Sequence, residues 1–312
     1  MRRKYDFNEL AQQHGFGIKE IEKVCRISDL LEDISAVKFL SDRLSLYGGT
    51  AFTFIYSPEI LRLSIDLDFN YRHINAADWG EVRKEIDKRL KDLICRRGYT
   101  EQDIAINAHY PLTRFTVKYT NTVGFEDNFK IEIGYLRRTP ILKADTSANF
   151  KHIGTQETFK ARTPTKEELF ANKWSTLLYR TTPRDLFDTY QIAKADFNRD
   201  IFRKCAIIDS LTHEKPRIHK IDPELIEQIP IGPSLRNLLQ IQKLPKYDFA
   251  KITREAKRFT QEQLTNITDK EIKAIDQFYD KKIFDPNMID NTGLFHEQIA
   301  QYPAVLRTLQ TI

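Results

Sequence analysis

The segment that most restricts the fold of this chain runs from Gly48-Gly49-Thr50 to Asp66-x-Asp68. Two glycines directly after the apolar run Leu44–Tyr47 mark a tight turn, where the backbone can approach a phosphate with no β-carbon in the way. Downstream, Ile65 to Asn70 alternates with period two. As a strand it would send Ile65, Leu67 and Phe69 into a core, with Asp66 and Asp68 on the opposite face about 6–7 Å apart. Two carboxylates so spaced can hold a divalent cation over a triphosphate. A lone Asp-x-Asp is more often a solvated strand edge. Here the strand is strongly apolar, where an unmatched charge is costly unless a cation meets it, and the glycine turn precedes it.

The 312 residues suffice for two domains, and 41% hydrophobic with 11% aromatic residues is ample for buried cores, which excludes global disorder. A net charge of +5 and a pI near 8.9 are compatible with a polyanionic partner without requiring one. Cys25, Cys95 and Cys205 are odd in number and scattered, which argues against disulfides or structural zinc and for a reducing compartment. The histidines form no metal-binding pattern, and His109 and His152 have no partners identifiable from sequence. The Met-Arg-Arg-Lys start runs into polar, acidic sequence without the apolar core of a signal peptide. No segment approaches the ~18–20 apolar residues that span a bilayer. The expectation is a cytoplasmic protein with no membrane partner.

Apolar spacing predicts a helix from Ile18 to Leu40, a strand over Leu44–Tyr47, a helix from Thr50 to Tyr56 ended by Pro58, and an amphipathic helix from Asp78 to Arg97 ended by Gly98. Three strands follow, Asp103–Tyr110, Arg114–Tyr119 and Phe129–Leu136, with a turn at Asn121–Gly124 and a short strand around Glu157–Lys160. In the third, Phe129, Ile131, Ile133 and Tyr135 share one face and Lys130, Glu132 and Gly134 the other. After Pro164 the pattern turns helical. Thr165-Lys-Glu-Glu168 matches a capping box opening a helix to Tyr179, and Thr182-Pro183 opens another. Further helices are expected over Phe202–Leu211, Pro223–Gln228, Ser234–Gln240, Asp248–Leu264, Asp269–Phe284 and Leu294–Leu309. The fold class is α/β (α+β): a mixed-sheet domain over residues 1–162, then an α-helical domain over 163–312.

Nucleotidyl transfer needs a small-residue turn for phosphates, two or three carboxylates for metal, and cations for the triphosphate. Asp66 and Asp68 supply two carboxylates, and Glu132 is the natural third, with Lys130 beside it. The motif Gly48-Gly49-Thr50…Asp66-x-Asp68 resembles the first motif of the polymerase-β-like nucleotidyltransferase superfamily. More narrowly, "YGGTAFTFIY…RLSIDLDF", "KIEI" and "TPTKEELFANKWSTLLYRTTPRDLFDTY" are similar to the AbiEii toxins and their mycobacterial MenT relatives, over about residues 44–195.

That resemblance implies a nucleotidyltransferase lobe followed by a helical lobe, acting as the toxin of a type IV toxin–antitoxin pair. It implies Mg²⁺ (or Mn²⁺), an NTP substrate, transfer to the 3′ end of tRNA, and an antitoxin that acts without a stable complex. By the same resemblance Gly48, Gly49 and Thr50 cradle phosphates, Asp66, Asp68 and Glu132 bind metal, and Lys173 contacts the triphosphate. Asp185 is then a further essential acid, with Lys130 in the second motif and Asp188 one turn on from Asp185; Arg62, apart from the resemblance, is a reasonable nucleotide contact because a guanidinium fork suits phosphate oxygens. Two departures, Ile65 where relatives often carry an acid and Glu132 where some have Asp, remove no ligand. Other acceptors, a protein or small-molecule hydroxyl, and a non-catalytic nucleotide- or RNA-binding module are the competing readings.

Each residue has a plainer alternative. Asp185 lies three residues after Thr182 and could simply complete a helix cap. Asp188 could pair with Arg184, Arg62 with a nearby acid, and Lys173 could be a solvated lysine. Lys243, Lys246, Lys251, Arg254, Lys257 and Arg258, interleaved with Tyr247, Phe249 and Phe259, could line an RNA groove, though such runs more often form a solvated helix face.

Overall fold

Asp68 and Glu132, far apart in sequence, occupy adjacent strands of one sheet. The structure, a computed structural model, describes residues 3–73 and 79–312 and divides into two compact units. The first comprises residues 1–138, 146–163 and 237–244; the second comprises 139–145, 164–236 and 245–312.

The first unit holds a five-stranded mixed sheet of order β1-β2-β5-β4-β3: β1 (Leu44–Tyr47), β2 (Leu67–Tyr71), β3 (Ile104–Asn107), β4 (Leu112–Thr120) and β5 (Glu126–Gly134). Only β2 and β5 pair in parallel. The period-two pattern of β5 is realised: Phe129, Ile131 and Ile133 are buried, while Lys130 is exposed and Glu132 partly so. Helices α1 (Phe7–His14), α2 (Ile18–Ala36), the short α3 (Lys38–Ser41) and α4 (Gly48–Ala51), and α5 (Trp79–Arg96) belong to this unit. Ile21, Val24, Ile27, Leu31 and Ile34 form the buried stripe of α2, which packs on α5 and β5. Asp78, expected to open α5, lies outside the described residues. A second hairpin, β6 (Thr146–Lys151) with β7 (Thr158–Thr163), packs on β1, where the Thr163 hydroxyl donates to the Leu46 carbonyl at 3.0 Å. Of that pair the sequence pattern marked only part of β7.

Two expectations at the sheet need correction. The helix after β1 begins at Gly48 rather than Thr50 and runs on into a π-helical turn over Phe52–Tyr56. The strand bearing the two aspartates starts at Leu67, leaving Asp66 in a bend, because the Asp66 carbonyl accepts from the Thr50 hydroxyl at 2.5 Å.

The second unit is helical: α6 (Lys166–Arg180), α7 (Pro183–Lys194), α8 (Arg199–Ser210), the short α9 (Pro233–Arg236), α10 (Phe249–Thr265), α11 (Asp269–Lys281) and α12 (Pro303–Thr311). Trp174 is its fully buried centre, donating its indole N–H to Thr260 Oγ1 at 3.1 Å beside Phe202 and Phe259. The expected capping box at Thr165 does not form. Glu168 instead accepts from the backbone N–H groups of Ile141 and Leu142 at 3.0 and 3.1 Å. Pro223–Gln228 is a 3₁₀ helix. The helices expected over Ser234–Gln240 and Leu294–Leu309 are shorter because both stretches contain bridging backbone. Leu239 bridges Arg62, and Phe295 bridges Leu142.

One half-buried acid weakens the first unit. Burial pushes the Asp87 carboxyl up to about 6 against a smaller opposing effect of Arg83, and its Oδ1 has no hydrogen-bond partner among the described residues. A folded-state pKa above the unfolded value gives a contribution fully present below pH ~4 and lost as pH rises through about 6. Asp87→Asn is therefore expected to stabilise the protein at pH 7 by about 1–2 kcal/mol and to lose that advantage near pH 4, read from urea unfolding at the two pH values.

Candidate active site

The Gly-Gly turn is shaped around the acids. Gly48 has φ +69°, and a β-carbon there would collide with Asp68 Oδ2; one on Gly49 would meet Ser64 Oγ at 2.7 Å and the Arg62 guanidinium at 3.1 Å. The turn thus lies flat against the segment that carries the aspartates, a fit that only glycine permits. Thr50 is fully buried. Its hydroxyl proton goes to the Asp66 carbonyl, and its oxygen lies 3.0 Å from Ser64 Oγ, whose own proton can point back. Thr50 and Ser64 therefore hold Asp66 in place. Arg62 is buried too, donating from Nη1 to its neighbour's carbonyl, Leu63 O, at 2.9 Å.

Strand register extends the site across the whole sheet. Tyr47 pairs with Asp68, Asp68 with Glu132, Glu132 with Arg114, and Arg114 with Asn107. Register partners point to the same side, so these five residues form one row on the face opposite the apolar core. Glu132 Oε1 accepts from Arg114 Nε at 2.7 Å. Lys130 shares this face, in register with Thr116. Asp66 and Asp68 are partly exposed. Were Asp66, Asp68 and Glu132 to converge on one ion, their carboxylate oxygens would be hard donors, suited to Mg²⁺ or Mn²⁺ rather than to a thiophilic metal. The absence of room for a β-carbon on Gly48 keeps the approach to Asp68 narrow and backbone-lined.

In the helical unit the remaining residues form two ion pairs. Lys173 Nζ lies 3.0 Å from Asp188 Oδ2, with side chains only 8% and 0% exposed. Asp185 accepts a forked contact from Arg180 at 2.8–3.0 Å and a hydroxyl proton from Thr182, which caps α7. Thr182 caps α7 by accepting the Asp185 N–H, so Asp185 lies in the cap without completing a capping box, and Asp188 pairs with Lys173 rather than with Arg184.

Another acidic cluster, Asp29, Glu32 and His152, brings its ligand-type atoms within 4.8 Å of one another. It is a poor metal site on proton grounds. His152 Nδ1 accepts the backbone N–H groups of Gly154 and Thr155 at 3.1 and 3.3 Å, so the ring proton sits on Nε2, 3.2 Å from Asp29 Oδ1. Neither nitrogen offers a lone pair. Asp29 also accepts from Tyr5 and Arg3. Burial alone would raise its pKa, but the bonds from His152 and Tyr5 and the nearby Arg97 hold it below the ordinary carboxylate value. The cluster ties the amino-terminal segment and the β6–β7 turn to α2.

The family model for the nucleotidyl transferase AbiEii toxin of type IV toxin–antitoxin systems matches residues 29–281. The chain belongs to this family. Membership makes it a nucleotidyltransferase and the toxin component of a type IV system. Among solved structures it is similar to MenT4, a nucleotidyltransferase toxin from Mycobacterium tuberculosis H37Rv, with 17% identity and a TM-score of 0.65 over 92% of this chain and 98% of that one. At that identity the likeness speaks for the fold. A search of curated proteins finds no match. No helix among the described residues is long and apolar enough to cross a membrane.

The basic stretch of this AbiEii chain is partly neutralised: Lys257 contacts Glu224 and Glu227 at 2.7 and 2.8 Å, Lys251 lies 3.8 Å from Glu255, Lys243 lies 3.6 Å from Glu59, and Phe259 is buried. Sequence reasoning missed Ser64, Tyr47 and Arg114. Period two alone could have set Arg114, Thr116 and Lys118 on one face of β4; only the register reveals that Arg114 meets Glu132.

Two outcomes test this geometry. Gly48→Ala is expected to displace Asp68 and cost about 1–3 kcal/mol. Gly80→Ala, in α5 with open space at the β-carbon, should be neutral or gain up to about 1 kcal/mol in the same urea melts. Removing one partner of a buried ion pair typically costs about 3–5 kcal/mol. Lys173→Met should therefore destabilise the protein strongly, and Lys173→Met with Asp188→Leu should recover most of that loss. A Lys173→Met protein that melts like the parent would show that the pair is not structural.

Proposed function

We propose that this chain transfers a nucleoside monophosphate from an NTP to the 3′ end of tRNA in a Mg²⁺-dependent reaction. The observation that carries the reading is the Asp68–Glu132 register on parallel strands, with Asp66 one residue ahead of β2 and the Gly48–Gly49 turn against it. Asp66, Asp68 and Glu132 are the residues that would hold the cation. When bound, it polarises the α-phosphate and offsets charge on the departing pyrophosphate. Thr50 and Ser64 fix Asp66, and the glycine turn presents bare backbone to the phosphates. The acceptor oxygen attacks the α-phosphorus, the bond to the β-phosphate oxygen breaks, and Glu132 takes the hydroxyl proton. Lys173 is assigned to the triphosphate, with Asp185 and Asp188 as further nucleotide-site acids; family resemblance supports these roles, and in the helical unit all three are engaged in ion pairs. The tRNA acceptor rests on that resemblance, and the exposed Arg114, Lys118 and Lys130 on the row's face suit a polyanion. Its antitoxin is assigned a role without a stable complex.

Incubation of the purified protein with each α-labelled NTP, Mg²⁺ or Mn²⁺, total RNA and a protein extract tests this. Label is expected in tRNA, and Asp66→Ala or Asp68→Ala should reduce incorporation at least about a hundredfold without unfolding the chain. Label in protein or small molecules alone would move the acceptor. Full activity in a folded Asp66→Ala variant would sink the site.

A further inference from the structure

Arg114 is the sole cation in the row Tyr47–Asp68–Glu132–Arg114–Asn107. Its side chain is 44% exposed and that of Glu132 28%, so their 2.7 Å pair adds at most about 1 kcal/mol to stability. The fold does not need it. Nor does Arg114 have a choice of partner. Its register neighbours are Glu132 and Asn107, its same-face strand neighbours are Leu112 and Thr116, and the residues diagonal to it on β5 are Lys130 and Gly134. Only Glu132 carries a carboxylate, and it is the acid read above as the third metal-holding group.

A guanidinium at hydrogen-bond distance steadies a carboxylate and also competes with any divalent cation for the same oxygens. Once a cation claims Glu132, Arg114 keeps its charge with no acid beside it in register, and its planar fork suits a phosphate oxygen on the same face. We infer that Arg114 is a positioning residue: it holds the Glu132 carboxylate in the row, yields it to a divalent cation, and thereby sets how much metal the site demands. This rests on the reading of Asp66, Asp68 and Glu132 as the metal-holding set.

The test is a Mn²⁺ titration of the full chain, followed by the EPR signal of free Mn²⁺. Arg114→Gln is expected to lower the half-saturating Mn²⁺ concentration roughly three- to tenfold, since a competing charge is gone. Arg114→Lys, which keeps the charge, should stay within about twofold of the parent. Asp68→Asn should abolish the binding. An unchanged or raised midpoint in a folded Arg114→Gln protein, with Asp68→Asn still abolishing binding, overturns the role of Arg114 alone. Failure of Arg114→Gln to fold would make the pair structural and overturn it as well. Mn²⁺ binding that survives Asp68→Asn, or is missing from the parent, overturns both this inference and the metal site beneath it.

Discussion

The parallel pairing of β2 with β5 is the contact on which the sheet of the first unit depends. Parallel neighbours cannot be joined by a tight turn; they need a long crossover. Here the connection carries α5 and the antiparallel strands β3 and β4, so β5 enters the middle of the sheet only after the outer strands have been built. That order has a chemical result. Asp68 comes beside Glu132 on one side, and β4 returns antiparallel to set Arg114 on the other. A one-residue slip in either pairing would turn the whole face over and carry the acids into the core.

The two faces of the sheet are therefore under opposite demands. The inner one is filled by Leu67, Phe69, Phe115, Phe129, Ile131 and Ile133, all nearly inaccessible to water. The outer one carries the charged groups, with Asp68 and Glu132 partly exposed beside the buried Tyr47 and Asn70. Gly48 resolves part of that conflict by letting the backbone, rather than a side chain, approach Asp68, and Thr50 resolves another part by ending the ladder at Asp66. The bend frees Asp66 from strict alternation, so its side chain is not bound to the plane that Asp68 occupies.

Much of this was legible in the sequence where the signal was local. The glycine turn, β1, the alternation of β5 and the switch to helices after Pro164 follow from periodicity and turn chemistry over a few residues. What failed was decided by partners distant in sequence. Thr165 and Glu168 satisfy a capping pattern, yet the Glu168 carboxylate binds the backbone of Ile141 and Leu142 instead. Residues 238–239 carry helical spacing, yet Leu238 accepts from the Leu63 N–H at 2.8 Å and Leu239 bridges Arg62. In the candidate site the strand faces of Asp68 and Glu132 follow from local alternation, whereas the places of Arg114 and Ser64 come only from register and turn contacts.

The motif residues of the helical unit show why a sequence motif alone cannot separate chemistry from architecture. Asp185 has a capping partner in Thr182 and a forked bond from Arg180, and Lys173 shares its charge with an acid that is fully buried. Buried pairs of this kind seldom add net stability over apolar residues of the same size, because desolvation offsets the attraction. In Lys173–Asp188 the lysine side chain is 8% exposed and the acid 0%, so the contact is made almost wholly out of water, where removing either partner strands the other charge. Each partner is thus the condition for burying the other, and the pair fixes these motif residues together with the packing of α6 on α7.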